Sequence, residues 1–259
     1  MPKPPIHRSP PREMENDGVI EGRNAVTEAL RANIGIDKIF LLKGSEDKNL
    51  GHIASTARSR GIVVVDADRK KLDSLSKTHS HQGVIALSTV REYVSVDDIL
   101  KVAEERGEKP FLLLCDELTD PHNLGAVIRT ADASGCHGVI IPKRRSASLT
   151  AIVAKVSAGA IAHVPVARVS NITSTIKELQ DAGIWVFGAT MEGTTKLYDA
   201  DLKNACAIVI GNEGSGLGRL VAESCDFLVT IPMCGKINSL NASVAAGVLL
   251  YEGVRQRQG

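Results

Sequence analysis

The sequence predicts an α/β protein in which a small α/β unit precedes a larger one built on a parallel sheet with helices on both faces. Three observations lead there. The apolar runs FLLLC (111–115), GVII (138–141), IWVFG (184–188), CAIVI (206–210) and FLVTI (227–231) are continuous rather than alternating, the pattern of strands buried on both faces. Segments with helical spacing fall between them, at 123–134, 149–159, 171–182, 217–224 and 239–255, with a weaker strand at 163–167. The loops after several of these runs are rich in glycine, asparagine and serine, and open parallel sheets bind ligands beyond the carboxyl ends of their strands.

The rest of the chain reads in order. Residues 1–16 hold five prolines and almost nothing to bury, so a disordered arm is expected, with order beginning near Val19. A helix over 24–32 follows from the spacing of Val26, Ala29 and Leu30; KIFLL (38–42) is a buried strand. Helices at 52–60 and 69–76 alternate with strands GIVVV (61–65) and GVIALS (83–88), a second α/β unit over 17–90. The charged stretch 91–109, helical in tendency, ends at Pro110 and is expected to link this unit to 110–259.

Composition narrows the function. Aromatic residues are only 3% of the chain, which disfavours a platform of rings stacked on unpaired bases. The net charge of +1 does not announce a nucleic-acid binder, yet the basic residues are uneven: Lys143, Arg144 and Arg145 run together, and balanced totals can hide a basic face. Solubilising charge is the plain alternative. Five scattered cysteines without CxxC spacing suggest free thiols in a reducing compartment, and no 18-residue apolar run or signal-like segment is seen, so a soluble cytoplasmic protein with no membrane association is expected. His79 and His81 have no accompanying cysteine or aspartate cluster, so no metal is expected, and there is no GxSxG.

Four loops could carry chemistry. After 111–115, Pro121 sets a turn, Asn123 is placed to cap the next helix, and Arg129 is a charge among apolar neighbours; a cap and a surface arginine are the plain alternative. After 206–210 comes GNEGSGLG, a glycine-rich loop that matches neither GxGxxG nor GxxxxGK[ST]. Glu213 within it would oppose a phosphate, so an uncharged nucleoside-like group fits better. Gly188, Ala189 and Thr190 close the strand before another loop. Finally, IPMCGKINSLNASVAAGVLLYE (231–252) stops a strand at Pro232 and starts a helix with Ser239 and Asn241 near its beginning. That helix carries Ala242, Ala245, Ala246 and Gly247, small residues that allow a close neighbour.

Three of these segments together, NLGAVIRTADASG (123–135), IVIGNEGSGL (208–217) and IPMCGKINSLNASVAAG (231–247), resemble the SpoU (TrmH-like) branch of the SPOUT RNA methyltransferases. The resemblance covers 110–257; EGRNAVTEAL (21–30) and HQGVIA (81–86) extend it into the first unit, and the whole is most similar to the RlmB subgroup. It implies a parallel sheet with a C-terminal trefoil knot, a topology that general rules exclude. It also implies a homodimer, S-adenosyl-L-methionine as cofactor, and 2′-O-methylation of a guanosine in 23S ribosomal RNA. Carried over residue by residue, the active site is Asn123, Arg129, Glu213, Ser239 and Asn241. The cofactor contacts are Thr190, Gly211, Ile231, Met233 and Leu240. The first unit resembles a small RNA-binding domain related to ribosomal proteins, and RNA contacts are expected from Arg23, Lys143, Arg144 and Arg145. The rivals are a transfer-RNA enzyme of the same branch, methylation of another ribosomal site, a non-catalytic RNA-binding relative, and a nucleotide-dependent oxidoreductase; the missing GxGxxG opposes the last.

Overall fold

The computed structural model describes residues 18–32, 34–212 and 214–259. The expected arm at 1–16 and the candidate Glu213 lie outside them.

The first body begins with a strand not anticipated as such, β1 (Val19–Glu21), followed by α1 (Arg23–Arg31), β2 (Ile36–Leu42), α2 (Lys48–Ser59), β3 (Val63–Ala67), α3 (Arg69–Leu75) and β4 (Val84–Ser88). Its four-stranded sheet has the order β1-β4-β2-β3, with β2 and β3 parallel and the β1–β4 and β2–β4 pairs antiparallel. Val26, Leu30, Ile39, Leu50, Ile53 and Val84 make its core. Asp47 and Asp68 cap α2 and α3, each accepting a backbone N–H two or three residues on.

The charged stretch expected as a linker contains α4 (Val96–Glu105), started by a reciprocal capping box between Ser95 and Asp98. Its Ile99 is fully buried against the large sheet, where a Cβ at Gly138 would stand 2.5 Å from the Ile99 side chain. Glycine at 138 is thus what lets α4 lie on the sheet.

The second body runs β5 (Phe111–Cys115), α5 (Pro121–Ala133), β6 (Gly138–Pro142), α6 (Ala151–Val156), β7 (Val166–Val169), α7 (Ile172–Asp181), β8 (Trp185–Ala189), β9 (Thr195–Lys196), β10 (Cys206–Ile210), α8 (Arg219–Ser224), β11 (Phe227–Thr230) and α9 (Ala242–Gln258). Seven strands lie in the order β7-β6-β5-β10-β8-β11-β9, every adjacent pair parallel. Two cores sandwich this sheet. On one face Leu124, Val127, Ile128 and Ala131 of α5, Val153 of α6 and Ala246, Leu249 and Leu250 of α9 pack with Leu113, Ile141 and Ile208. On the other, Ile99 of α4, Ile172, Ile176 and Leu179 of α7 and Val221 of α8 pack with Leu112, Leu114, Ile140 and Val209. Burial on both faces explains the unbroken apolar strands.

Candidate active site

The site is built at the carboxyl edge of the sheet. β5, β10, β8 and β11 are neighbours and parallel, so the loops that leave them share one edge. Each loop is pinned to another. Gly218 donates its N–H to Asp116 Oδ2 at 2.8 Å, tying the loop after β10 to the end of β5. Asn212 Nδ2 donates to the Glu117 carbonyl at 3.1 Å, and Thr190 N–H donates to the Val229 carbonyl at 2.9 Å.

The first helix of the site starts differently from the sequence expectation. Asp120, not Asn123, is the N-cap of α5, accepting from His122 N–H at 2.9 Å with Pro121 at the first helical position. Proline brings its own fixed φ and no N–H, so the helix opens two residues before Asn123. Asn123, freed from capping, is buried and accepts from Asn241 Nδ2 at 3.0 Å. Asn241 is the true N-cap of α9: its Oδ1 accepts from Ser243 N–H at 2.9 Å and from Val244 N–H at 3.4 Å. The helix expected from 239 therefore begins at Ala242, and Ser239 lies in the exposed loop before it. Gly247 comes close to Thr130, a Cβ there standing 3.8 Å from Thr130 Cγ2. The contacts 123–241 and 130–247 run in the same sense, so α5 and α9 are parallel and both present their positive N-terminal ends at the strand-end edge.

Gly211 follows β10 directly. A Cβ there would lie 2.2 Å from the Gly216 carbonyl carbon, so only glycine permits the loop to fold back, closed by reciprocal bonds between Asn212 and Gly216. Thr190 and Ile231 sit at the ends of β8 and β11, with Ile231 packed on the core. Beyond it Met233, Ile237 and Leu240 are exposed, an accumulation of apolar side chains in one short polar loop. A shallow hollow of about 500 Å³ lies elsewhere, at the C-terminal end of α9 beside Tyr198, Asp201 and Arg255.

Arg129 stands apart from these contacts. Six residues beyond Asn123, about 9 Å along the axis, it is exposed and makes no hydrogen bond or ion pair with any described residue. Lys143, Arg144 and Arg145 are exposed after β6, where Arg145 pairs with Glu117 at 2.9 Å. Arg23 lies in the first body, bonded to Asp47 at 2.6 Å and to the Gln82 carbonyl at 3.1 Å.

One residue of the site escaped the sequence reading. Asp116, at the end of β5, is buried, and that burial pushes its carboxyl above the usual range, with Glu117 adding to the rise and the Gly218 N–H opposing it. In the sequence it is one acid of DELTD, with nothing to set it apart from a solvated loop. Among the described residues no group of histidine, cysteine, aspartate and glutamate is arranged to hold a metal ion, and no helix is long and apolar enough to cross a membrane.

Such an edge, with neutral polar side chains, a glycine-shaped turn and two helix N-termini, defines a ligand-binding α/β enzyme without a P-loop or dinucleotide motif. Residues 110–251 match the SpoU rRNA Methylase family and residues 19–94 match the RNA 2'-O ribose methyltransferase substrate binding family. The chain is 48% identical over 243 residues to the TrmH family tRNA/rRNA methyltransferase homologue YacO of Bacillus subtilis, spanning 94% of this chain and 97% of that one. The solved SpoU methyltransferase AviRb from Streptomyces viridochromogenes, in complex with AdoMet, is 27% identical with a TM-score of 0.58, covering 93% of this chain and 90% of its own. An AdoMet-bound rRNA methyltransferase from Sinorhizobium meliloti is 25% identical with a TM-score of 0.56, over 92% and 86% of the two chains. The chain belongs to the SpoU methylase family and is an RNA methyltransferase.

Proposed function

We propose that this chain methylates the ribose 2′-oxygen of a guanosine in 23S ribosomal RNA, as a homodimer of the RlmB type. The observation that carries the site assignment is the Asn123–Asn241 bond at 3.0 Å. It joins two segments 118 residues apart, both bearing the family resemblance, and sets two helix N-termini at the strand-end edge.

The residues present fit S-adenosyl-L-methionine. The Gly211 turn leaves no room for a side chain, so backbone rather than side chain would face a ligand there. Thr190, Ile231, Met233 and Leu240 supply further strand-end backbone and an apolar surface for an uncharged adenosine. When bound, this cofactor supplies an electrophilic methyl group on a sulfonium. Asn123, Ser239 and Asn241 would fix Arg129, the loop between β11 and α9 and the methionine part of the cofactor. Arg129 binds the phosphate beside the target ribose and polarises the 2′-hydroxyl. Aligning oxygen and methyl supplies much of the rate. Glu213 would anchor Arg129 or accept hydrogen bonds at the site.

A dimer fits the helices that flank the site. On α9, Val244 and Tyr251 are 52% and 50% exposed, with Gly247 and Val248 between them. α9 passes close to α5 through Gly247, a Cβ there standing 3.8 Å from Thr130, the residue after Arg129. Paired stripes would bring Arg129 to a partner's loops. A trefoil knot fits the close passage of the loop after β8 past β11, where a Cβ at Gly193 would lie 2.6 Å from the Val229 backbone.

Preference for ribosomal over transfer RNA rests on the separate first body, which matches a substrate-binding family. Lys143, Arg144 and Arg145, with Arg23, would add phosphate contacts that weaken with salt. The test is to map 2′-O-methyl groups in RNA from cells with and without this protein. Loss of one guanosine methylation in 23S RNA supports the reading; loss confined to transfer RNA overturns it.

A further inference from the structure

The two bodies meet at a buried polar cluster centred on Asp37. Asp37 sits in β2 where the register against β4 shifts between Ile36 and Lys38, a bulge that turns its side chain out of the first sheet. It is 1% exposed. Three groups converge on its carboxylate: Tyr93 Oη at 2.8 Å, the Ser148 hydroxyl, and the Arg168 guanidinium of β7. The ring of Tyr93 lies 5.0 Å under the same guanidinium, and its hydroxyl accepts from Leu149 N–H at 3.1 Å. Arg168 also donates to the Asp37 carbonyl at 3.3 Å and to the Lys143 carbonyl at 3.1 Å.

Each body has a core of its own, with Tyr93 packed on that of the second. The first body closes around Val26, Ile39 and Val84, and the second around its sheet. The groups of the cluster do different work: they join β2 to the edge strand β7 and to the backbone that opens the basic loop 143–145. That loop is in turn tied to the site, because Arg145 pairs with Glu117 and Glu117 receives the Asn212 amide. The connecting segment is fastened as well, with Val90 N–H on the Leu149 carbonyl at 2.9 Å and Val94 N–H on the Val166 carbonyl at 3.0 Å. A desolvated charge pair satisfied on every side specifies one geometry, since any other arrangement leaves a buried charge unpaired.

We infer that Asp37 and Arg168, with Tyr93 and Ser148, are positioning residues that hold the RNA-binding body at a fixed offset from the methyl-transfer site and thereby set the affinity for RNA. This rests on the methyltransferase reading above. The pair is buried, with side-chain exposures of 11% for Arg168 and 0% for Asp37, so it acts on where RNA is presented and not on the transfer step.

The experiment uses the full chain and three variants, Asp37→Asn, Arg168→Met and the double, with Tyr93→Phe as the mildest change should a buried-charge variant fail to fold. Methylation of an in vitro transcript of large-subunit ribosomal RNA is followed with labelled S-adenosylmethionine. Calorimetry measures affinity for the same cofactor, and small-angle scattering measures the radius of gyration. The expected result is a rise of about ten-fold in KM for RNA in each single variant, no worse in the double because the two residues act as one unit. The turnover number stays within about two-fold and cofactor affinity is unchanged, while the radius of gyration grows. Arg168→Lys, which keeps the charge, recovers part of the KM. Unchanged KM in a folded variant overturns the inference, and so does a fall in turnover and cofactor affinity in step with KM, the mark of general unfolding. If the unaltered protein leaves this transcript unmethylated, the ribosomal-RNA reading fails instead. Scattering still decides whether the pair holds the bodies together, and an unchanged radius would refute it.

Discussion

Two residues show how local chemistry can be read into behaviour. Arg129 is a cation on a helix exterior with no partner among the described residues. A surface arginine of that kind contributes little to stability, so Arg129→Ala is expected to keep its melting temperature and its affinity for S-adenosylmethionine while methyl transfer falls by about a hundred-fold or more. Cofactor affinity lost with transfer per bound enzyme retained would contradict the role given to it. His137 is the opposite case. It is 1% exposed, its Nδ1 accepts the Phe111 N–H at 3.0 Å, and its Nε2 faces Glu108 at 2.9 Å. Burial pulls its pKa below the usual 6.5, and the neighbouring Glu108 only partly opposes this. A proton on Nδ1 would set two donors against each other. The folded state therefore prefers neutral histidine, and its contribution to stability, present above the ordinary histidine pKa, is lost as pH falls below about 6.5 through the depressed folded value. Denaturant midpoints measured from pH 7.5 to 5 should drop more steeply for the unaltered protein than for His137→Gln; parallel curves would refute this. Asn123, Arg129 and Asn241 were legible as candidates because uncommon residue types recur in segments with a family resemblance. Asp116, His137 and Asp37 were not, because burial is what makes each of them consequential, and burial depends on partners distant in the chain.

Among the elements, strands were read more reliably than helix starts. The strand at 206–210 is found at its expected bounds because five consecutive apolar residues leave little choice. The start of α5 moved to Pro121 because Asp120 outcompetes Asn123 as the cap, and α9 starts at Ala242 because Asn241 caps it. The two-residue β9 carries no pattern that a period could reveal; it exists because β11 offers it an edge. The stretch 91–109 reads as charged and solvated, yet one apolar stripe through Ile99 suffices to dock α4 on the sheet. At this scale the sharpest prediction concerns the turn after β10. Gly211→Ala would drive a methyl into the Gly216 and Leu217 backbone. Backbone cannot step aside as a flexible side chain can, so the turn must open, at about 1–3 kcal/mol. The sheet should survive, with far-ultraviolet dichroism unchanged, and calorimetry should show cofactor affinity reduced by about ten-fold or more. Full affinity in the alanine variant would remove this turn from the proposed site.

For the whole molecule, the open question is whether one chain or two make a working site. α9 has a buried face through Ala246, Leu249, Leu250 and Gly253, and its other face still carries Val244, Val248 and Tyr251. A helix apolar on both sides needs cover on both. A second copy in a two-fold arrangement would cover it with the same stripe, and α9 passes close to Thr130, the residue after Arg129, through Gly247. Val244→Asp should thus leave the monomer folded, since the position is half exposed, yet shift sedimentation from dimer to monomer and reduce methyl transfer in proportion. A second experiment separates pairing from sharing. Arg129→Ala lacks the phosphate-binding cation, and Gly211→Ala lacks the cofactor turn. If each site draws its arginine from the partner, a mixed dimer holds one site with both parts intact. Random mixing should then restore about a quarter of the unaltered activity. If each site lies within one chain, no mixed dimer has a complete site and the mixture stays inactive. Restored activity on mixing is the expected outcome; an inactive mixture in which heterodimers are shown to form would place Arg129 and the Gly211 turn at the same chain's site and leave α9 with a purely structural part in the dimer.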